Sequence, residues 1–189
     1  IDAIPHILKQ LEGFFINDES AILDGELYNH SLKDDFNKII SLVRKQKPQR
    51  SESDTDASFQ KKEEEFEERL EASKNTIEYW VYDAPRIAGY KEEMLFSLRF
   101  VHLEAQLVNK TSIQVVPTTE IRSPYAIDTV YEKFIEEGYE GQMIREDTGY
   151  QNKRSKSLLK RKEFQDAEYK VIDIDEGNGN RKGTAKHLV

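Results

Sequence analysis

The 189 residues contain no cysteine. That excludes disulfides and thiolate metal centres and fits a reducing compartment, so a cytoplasmic rather than a secreted protein is expected. No apolar run approaches the ~20 residues that a membrane span needs, and no membrane partner is expected. The first residues, Ile1-Asp2-Ala3-Ile4-Pro5, carry neither a basic region nor a cleavage pattern. They also lack an initiator methionine, so the chain is expected to be a piece of a longer one. There is no P-loop: Gly177-Asn178-Gly179-Asn180-Arg181-Lys182-Gly183 is a glycine-rich turn without Gly-Lys-Ser/Thr. Histidine is scarce as well. His6, His30, His102 and His187 include no pair at helical metal-ligand spacing and no Ser-His-Asp order. Positive charge is in deficit, with 28 Lys and Arg against 36 Asp and Glu, a net charge of −8.

What is present is unevenly distributed. Hydrophobic residues make up 37% of the chain, enough for a modest core in one domain, or one domain and part of another. Residues 151–162 (QNKRSKSLLKRK) hold six basic side chains and no acidic one, whereas residues 52–78 hold ten acidic and four basic. An acidic protein with one basic stripe can still follow a phosphate backbone.

Periodicity gives a coarse order of elements. Asp2 can cap a first helix with Ile4, Ile7, Leu8 and Leu11 inside. Residues 21–28 read as a strand placing Ile22, Asp24, Glu26 and Tyr28 on one face. Residues 34–46 read as a helix buried through Phe36, Ile39, Ile40 and Val43. Residues 47–58 read as a loop. Residues 59–74 read as a charged, solvated helix with a thin stripe of Phe59, Phe66 and Leu70. A strand at 77–83, a helix at 91–107 and a strand at 113–117 follow. A helix over 124–137 has Ser123 as N-cap, Pro124 at the first position and Gly138 past its end. Its buried stripe is Ile127, Val130, Tyr131, Phe134 and Ile135. Strands are expected at 141–146, 157–162 and 168–175, the last turning through 176–183 into one more strand.

Three segments carry charge or aromatics in patterns that suggest chemistry. Asp24 and Glu26 share a strand face, where two carboxylates repel each other unless a cation intervenes. Together with Glu140 they suit a hard cation such as Mg²⁺, with phosphate oxygens completing the shell. The alternative is a turn aspartate and a surface glutamate. Lys160 and Lys162 share another face and suit a triphosphate or DNA phosphate, or else protect an edge strand from aggregation. Trp80 and Tyr82 share a face of an aromatic strand, which either stacks on a base or belongs to the core.

In order, the segments resemble the boxes of ATP-dependent DNA ligases. Asp24-Gly25-Glu26-Leu27 followed by Tyr-Asn-His resembles box III, and Tyr82-Asp83 resembles box IIIa. Glu140-Gly141 with Ile144-Arg145 resembles box IV, where Gln142 is more polar than usual. Leu159-Lys160-Arg161-Lys162 resembles box V. The nucleophile box Lys-x-Asp-Gly is found nowhere in the 189 residues. The resemblance implies an α+β fold: a partial nucleotidyltransferase (adenylation) domain over 1–167, of antiparallel sheets flanked by helices. A hinge near Phe164–Glu168 and the first hairpin of an OB-fold β-barrel over 168–189 would follow. It also implies roles. Glu26 would lie near the ribose or metal, Tyr82 would stack on adenine, and Glu140 would bind the divalent cation. Lys160 and Lys162 would hold the ATP phosphates, and Arg145 would support nucleotide binding. The implied cofactors are ATP, passing through AMP, and Mg²⁺ or Mn²⁺, and the implied partner is nicked duplex DNA at a site of replication or repair. A lysine would take AMP from ATP, pass it to a 5′-phosphate, and a 3′-hydroxyl would then displace it. Without the lysine, these residues alone are expected to form no lysyl-AMP, and the parent is expected to be a monomer. The competing expectations are an RNA ligase or mRNA-capping-type transferase, and a non-catalytic DNA-binding module using the basic stripe.

Overall fold

Helix α1 (Pro5–Asn17) begins on a proline at its first position, where no backbone donor is required. In this computed structural model, which describes residues 2–44, 46–87, 89, 93–163 and 168–188, Asp2 is not its cap. The Asp2 carboxylate accepts a hydrogen bond from the Lys47 amide at 3.0 Å, and Ile4 takes the N-cap position without a side-chain bond. Ile4, Ile7, Leu11 and Phe14 are buried at helical spacing. Leu8, expected inside, stands at the shoulder of that stripe and is 42% exposed.

The core forms where α1 meets a three-stranded sheet of β1 (Ile22–Tyr28), β2 (Glu78–Arg86) and β3 (Ile113–Val115), in the order β1-β2-β3. β1 and β2 run antiparallel, but β2 and β3 run parallel. This corrects the expectation of purely antiparallel sheets. The 12-residue helix α4 (Phe96–Leu107) lies between β2 and β3 in the chain and packs on both, which lets the chain return in the same direction. Ile77, Val81, Ala84 and Ile87, around and along β2, meet Leu103 and Leu107 of α4 and Ile39 and Leu42 of α2 (Phe36–Val43). Each large aliphatic group buried this fully contributes about 1.5–3 kcal/mol. Phe36 is exposed, because α2 starts with it and turns Ile39 and Leu42 inward instead.

Helix α3 (Asp56–Thr76) is longer than its apolar stripe predicts, because Thr55 caps it, accepting from the Ser58 amide at 3.2 Å. Only Phe66 and Ser73 on it are buried, and the Ser73 hydroxyl donates to the Ala3 carbonyl at 2.7 Å. The rest is solvated, as its charge implies. Helix α5 (Pro124–Glu136) packs on a hairpin of β4 (Gly141–Arg145) and β5 (Leu158–Lys162). None of its residues is fully buried, since a two-stranded hairpin covers less than a wide sheet. The polar Gln142 has a reason: its side-chain amide is buried and donates to the Ile127 carbonyl of α5 at 3.1 Å.

A last hairpin joins β6 (Ile174–Glu176) to β7 (Ala185–Leu188). The strand expected over 168–175 is therefore short and late, and residues 168–173 make no ladder. Tyr169, Ile172, Ile174 and Leu188 all face solvent, so no sheet covers the hairpin here. The hinge expected near Phe164–Glu168 falls, except for Glu168, outside the described residues. Among the described residues no helix is long and apolar enough to cross a membrane.

Candidate functional site

Gly25 holds the acidic strand close to its neighbour. A Cβ there would lie 2.4 Å from the Trp80 carbonyl oxygen and 2.9 Å from the Tyr79 ring. Glu26 pairs directly with Trp80, and Asp24 with Asp83. Between Gly25 and Ile22 the register shifts twice, and each time β2 has one residue more than β1. Bulges of this kind re-aim side chains. They break the alternation expected for Tyr79, Val81 and Asp83 beyond Val81, so that Tyr82 and its neighbour Asp83 both find partners at the acidic strand or beyond it. Tyr82 is half-buried, and burial followed by its hydrogen bond to Glu26 pushes its phenol well above the ordinary range. Tyr79, packed over Gly25, is pushed up to about 12 by burial and by the charge of Asp24.

Glu140 is placed by the end of α5. Gly138, at φ 86°, donates to the Ile135 carbonyl at 2.9 Å, and the Tyr139 amide donates to Phe134 at 2.9 Å. This is the paired arrangement of a left-handed helix stop, and its accompanying apolar contact is the Tyr139–Phe134 ring pair at 5.7 Å. Tyr139 then stacks into a corner with His30 at 4.6 Å and Trp80 at 6.3 Å, while Tyr28 meets Trp80 edge-on at 5.1 Å. His30 bonds the Tyr28 hydroxyl at 3.2 Å through Nδ1 and the Glu137 carbonyl at 2.9 Å through Nε2. His30 is thus a tie between β1 and α5, and Trp80 belongs to the same corner, its indole N–H donating to Glu78 at 2.7 Å. The Tyr28 phenol is raised first by burial and then by the charges of Glu26, Tyr139 and Glu140, so both candidate carboxylates act on one group.

Next comes Gly141, where a Cβ would sit 2.1 Å from the Arg161 carbonyl oxygen. The close approach fixes the hairpin register, Gly141 opposite Lys162, Met143 opposite Lys160 and Arg145 opposite Leu158. Facing partners share a face. One face therefore carries Lys160, Lys162 and Arg145. The other meets α5, where Arg161 pairs with Asp128 at 2.6 Å and lies 4.1 Å over the Tyr131 ring. Lys160 approaches Glu140 to 3.7 Å, both of them solvated, and Lys162 is exposed.

Arg145, on the same face as the two lysines, is engaged with protein groups. Its guanidinium pairs with Asp83 and lies 4.3 Å over the Phe96 ring. Asp83 is 1% exposed and is also gripped in bidentate fashion by Arg99, itself 1% exposed, at 2.8 and 2.9 Å. Arg99 further donates to the carbonyls of Met94 and, at 3.2 Å, Thr148. Tyr150 donates to Asp24 at 2.9 Å, and burial with that bond pushes its phenol up to about 12. The β4–β5 loop is thereby fastened to both β1 and α4. Asp147 in it accepts from the Ser97 amide at 2.8 Å and hydroxyl at 2.9 Å.

Of the residues singled out in the sequence, Tyr82 thus meets Glu26, Glu140 meets Lys160, and Arg145 meets Asp83. Arg99, Phe96 and Tyr150 gave no signal, because each acts through contacts distant in sequence. Among the described residues no group of three or more His, Asp or Glu gathers as a metal shell. A concavity of about 410 Å³ lies elsewhere, between Leu8, Leu11, Phe15 and Ile16 of α1 with Glu12 and Glu19 at its rim. Its apolar walls and acidic rim do not suit a polyphosphate.

Comparison with known proteins agrees with this arrangement. No curated protein matches the chain. A solved structure from a structure–function analysis of Lig E DNA ligases, concerned with DNA binding with a minimal scaffold, superimposes with a TM-score of 0.60 at 24% identity. The match covers 93% of this chain and 59% of that one, so the chain spans less than two thirds of its relative, and the likeness speaks for the fold. The family model of the ATP dependent DNA ligase domain matches residues 1–162. Both sheet-borne carboxylate segments and the lysine hairpin lie inside that match, and the chain belongs to the ATP-dependent DNA ligase domain family.

Proposed function

We propose that this chain is the nucleotide-handling part of a ligase that seals nicks in duplex DNA with ATP. Tyr82 would offer the adenine a ring face, and Glu26, bonded to it, would meet the ribose or its metal. Lys160 and Lys162 meet the phosphates as point charges. Glu26 and Glu140 would hold Mg²⁺ or Mn²⁺. A cation shared with a polyphosphate needs only one or two protein carboxylates. Such a cation would neutralise phosphate charge during transfer of AMP, work that depends on positioning and electrostatics more than on covalent help from these residues. The division at residue 167 into an adenylation unit and the beginning of an OB-fold belongs to the same proposal.

The observation that carries this reading is that an aromatic–carboxylate pair, Tyr82 bonded to Glu26, and a lysine–carboxylate pair, Lys160 at 3.7 Å from Glu140, both lie within the stretch that matches the ligase domain. The test is intact mass after incubation with ATP and Mg²⁺. The product of the whole gene is expected to gain one AMP, less in Glu140→Ala, while these 189 residues alone gain none. A stoichiometric AMP adduct on the 189 residues would refute the assignment of the nucleophile to a Lys-x-Asp-Gly box outside them.

A further inference from the structure

The buried ion pairs around Asp83 have no place in the chemistry above, and they sit at a mechanically important point. Asp83 follows Tyr82 directly on β2. Arg145 lies on the hairpin face that carries Lys160, two residues along from Lys160's partner Met143, about 7 Å at the rise of a strand. Between them Asp83 accepts from Arg145 and, at 2.8 and 2.9 Å, from Arg99, with the Ala84 amide at 2.7 Å completing its bonds. Arg99 reaches the hairpin loop a second time through the Thr148 carbonyl, and Tyr150 of that loop is bonded to Asp24. Two carboxylates and two guanidinium groups thus lock one hairpin to one sheet through several bonds at once. Arg99 is too deeply buried to touch a ligand.

We infer that Arg99 and Asp83, acting through Arg145, are positioning residues that hold the phosphate face of the β4–β5 hairpin at a fixed distance from Tyr82, so that both grip one nucleotide. The inference rests on the nucleotide reading proposed above. When two half-sites are held at the right separation, the second contact forms at a high effective concentration, and the joined ligand binds far more tightly than either part. If the separation is released, that advantage goes while each half-site keeps its own affinity.

The test is calorimetric titration of the full chain with ATP, with adenosine and with inorganic tripolyphosphate. The unaltered chain is expected to bind ATP more tightly than either part. In Asp83→Asn the ATP affinity is expected to fall by about tenfold or more, with adenosine and tripolyphosphate unchanged. Arg99→Lys, which keeps the charge but loses the planar fork, is expected to lose part of the advantage, and it carries the test if Asp83→Asn does not fold. Hydrogen exchange is expected to rise across Gly141–Arg145 in these variants while Val81 stays protected. Equal weakening of all three ligands, or an unchanged preference for ATP, overturns the positioning role and leaves the nucleotide reading standing. Failure of the unaltered chain to bind ATP better than its parts overturns that reading and this inference with it.

Discussion

At the scale of single residues, two glycines and two tyrosines carry consequences out of proportion to their size. Gly25 and Gly141 each stand where a Cβ would collide with a backbone carbonyl oxygen, at 2.4 and 2.1 Å. Neither carbonyl can move without disturbing its ladder. Gly25→Ala and Gly141→Ala are each expected to destabilise the fold by about 1–3 kcal/mol in urea unfolding, the range for overpacked sites. Exchange measurements should place the Gly141→Ala damage in β4 and β5. The tyrosines act through protons. Tyr79 and Tyr150 are both pushed from an ordinary 10.0 to about 12. A group whose pKa is higher folded than unfolded gives up stability as pH rises between the two values, because the unfolded chain loses its proton first. The contribution of these two tyrosines to stability is therefore expected to be constant below pH 10 and to fall between pH 10 and about 12. Tyr150→Phe should shallow that fall, as followed by urea melts across the window. A slope unchanged in Tyr150→Phe would mean that burial and the Asp24 bond together do not hold the phenol protonated.

At the scale of elements, α4 shows how a helix is finished from outside its own sequence. Its N-cap, Leu95, has no side chain to offer the first turn. Asp147 supplies the acceptor from the β4–β5 loop, 50 residues later, and bonds both the amide and the hydroxyl of Ser97. Asp147→Ala is expected to cost about 0.5–2 kcal/mol, the range for removing an N-cap, and to raise exchange in the first turn of α4 and in the β4–β5 loop that Asp147 fastens to it. That geometry also explains what could be read in advance. The amphipathic helices and the order of strands were legible because apolar spacing and local caps report them, as at Pro124 and Gly138. Glu26, Tyr82, Glu140 and Lys160 stand out as candidates because the segments that hold them are short runs of sequence, and the contacts Tyr82–Glu26 and Lys160–Glu140 follow from the strands those runs form. The start of α4 at Phe96 rather than at residue 91 was not legible, since its cap is distant. Nor was the parallel pairing of β3, which local alternation cannot distinguish from antiparallel. The bulges in β2, and with them the burial of Asp83 between two arginines, leave no periodic trace. Gln142 looked out of place only until α5 was set beside it.

At the scale of the whole molecule, a net charge of −8 has to be reconciled with the polyanionic partner proposed above. The charges are unevenly distributed among the elements, with acidic residues in excess on α3 and only basic ones over residues 151–162. Glu63, Glu64, Glu65, Glu67, Glu68 and Glu71 lie along α3, whereas Lys153, Arg154 and Lys156 stand exposed in the β4–β5 loop, continuing into Lys160 and Lys162. The loop is fastened at Asp147, Thr148 and Tyr150, so its cations are presented from an anchored base. Each phosphate neutralised by such a cation releases counterions, and affinity then falls with salt at about 0.9 logarithmic units per contact. Duplex DNA binding by the chain is therefore expected to be strongly salt-dependent in spite of the overall negative charge. Replacing Lys153, Arg154 and Lys156 together by Ala should reduce the slope of log affinity against log salt by about 2 to 3. Replacing Lys61 on α3 should leave the slope unchanged. Both are measured by fluorescence anisotropy of a labelled nicked duplex over a salt series. If the triple variant lowered affinity equally at every salt concentration, the loop would be shaping the protein rather than meeting phosphates. If Lys61 carried the slope instead, the DNA would lie along α3, and the basic hairpin would serve the nucleotide alone.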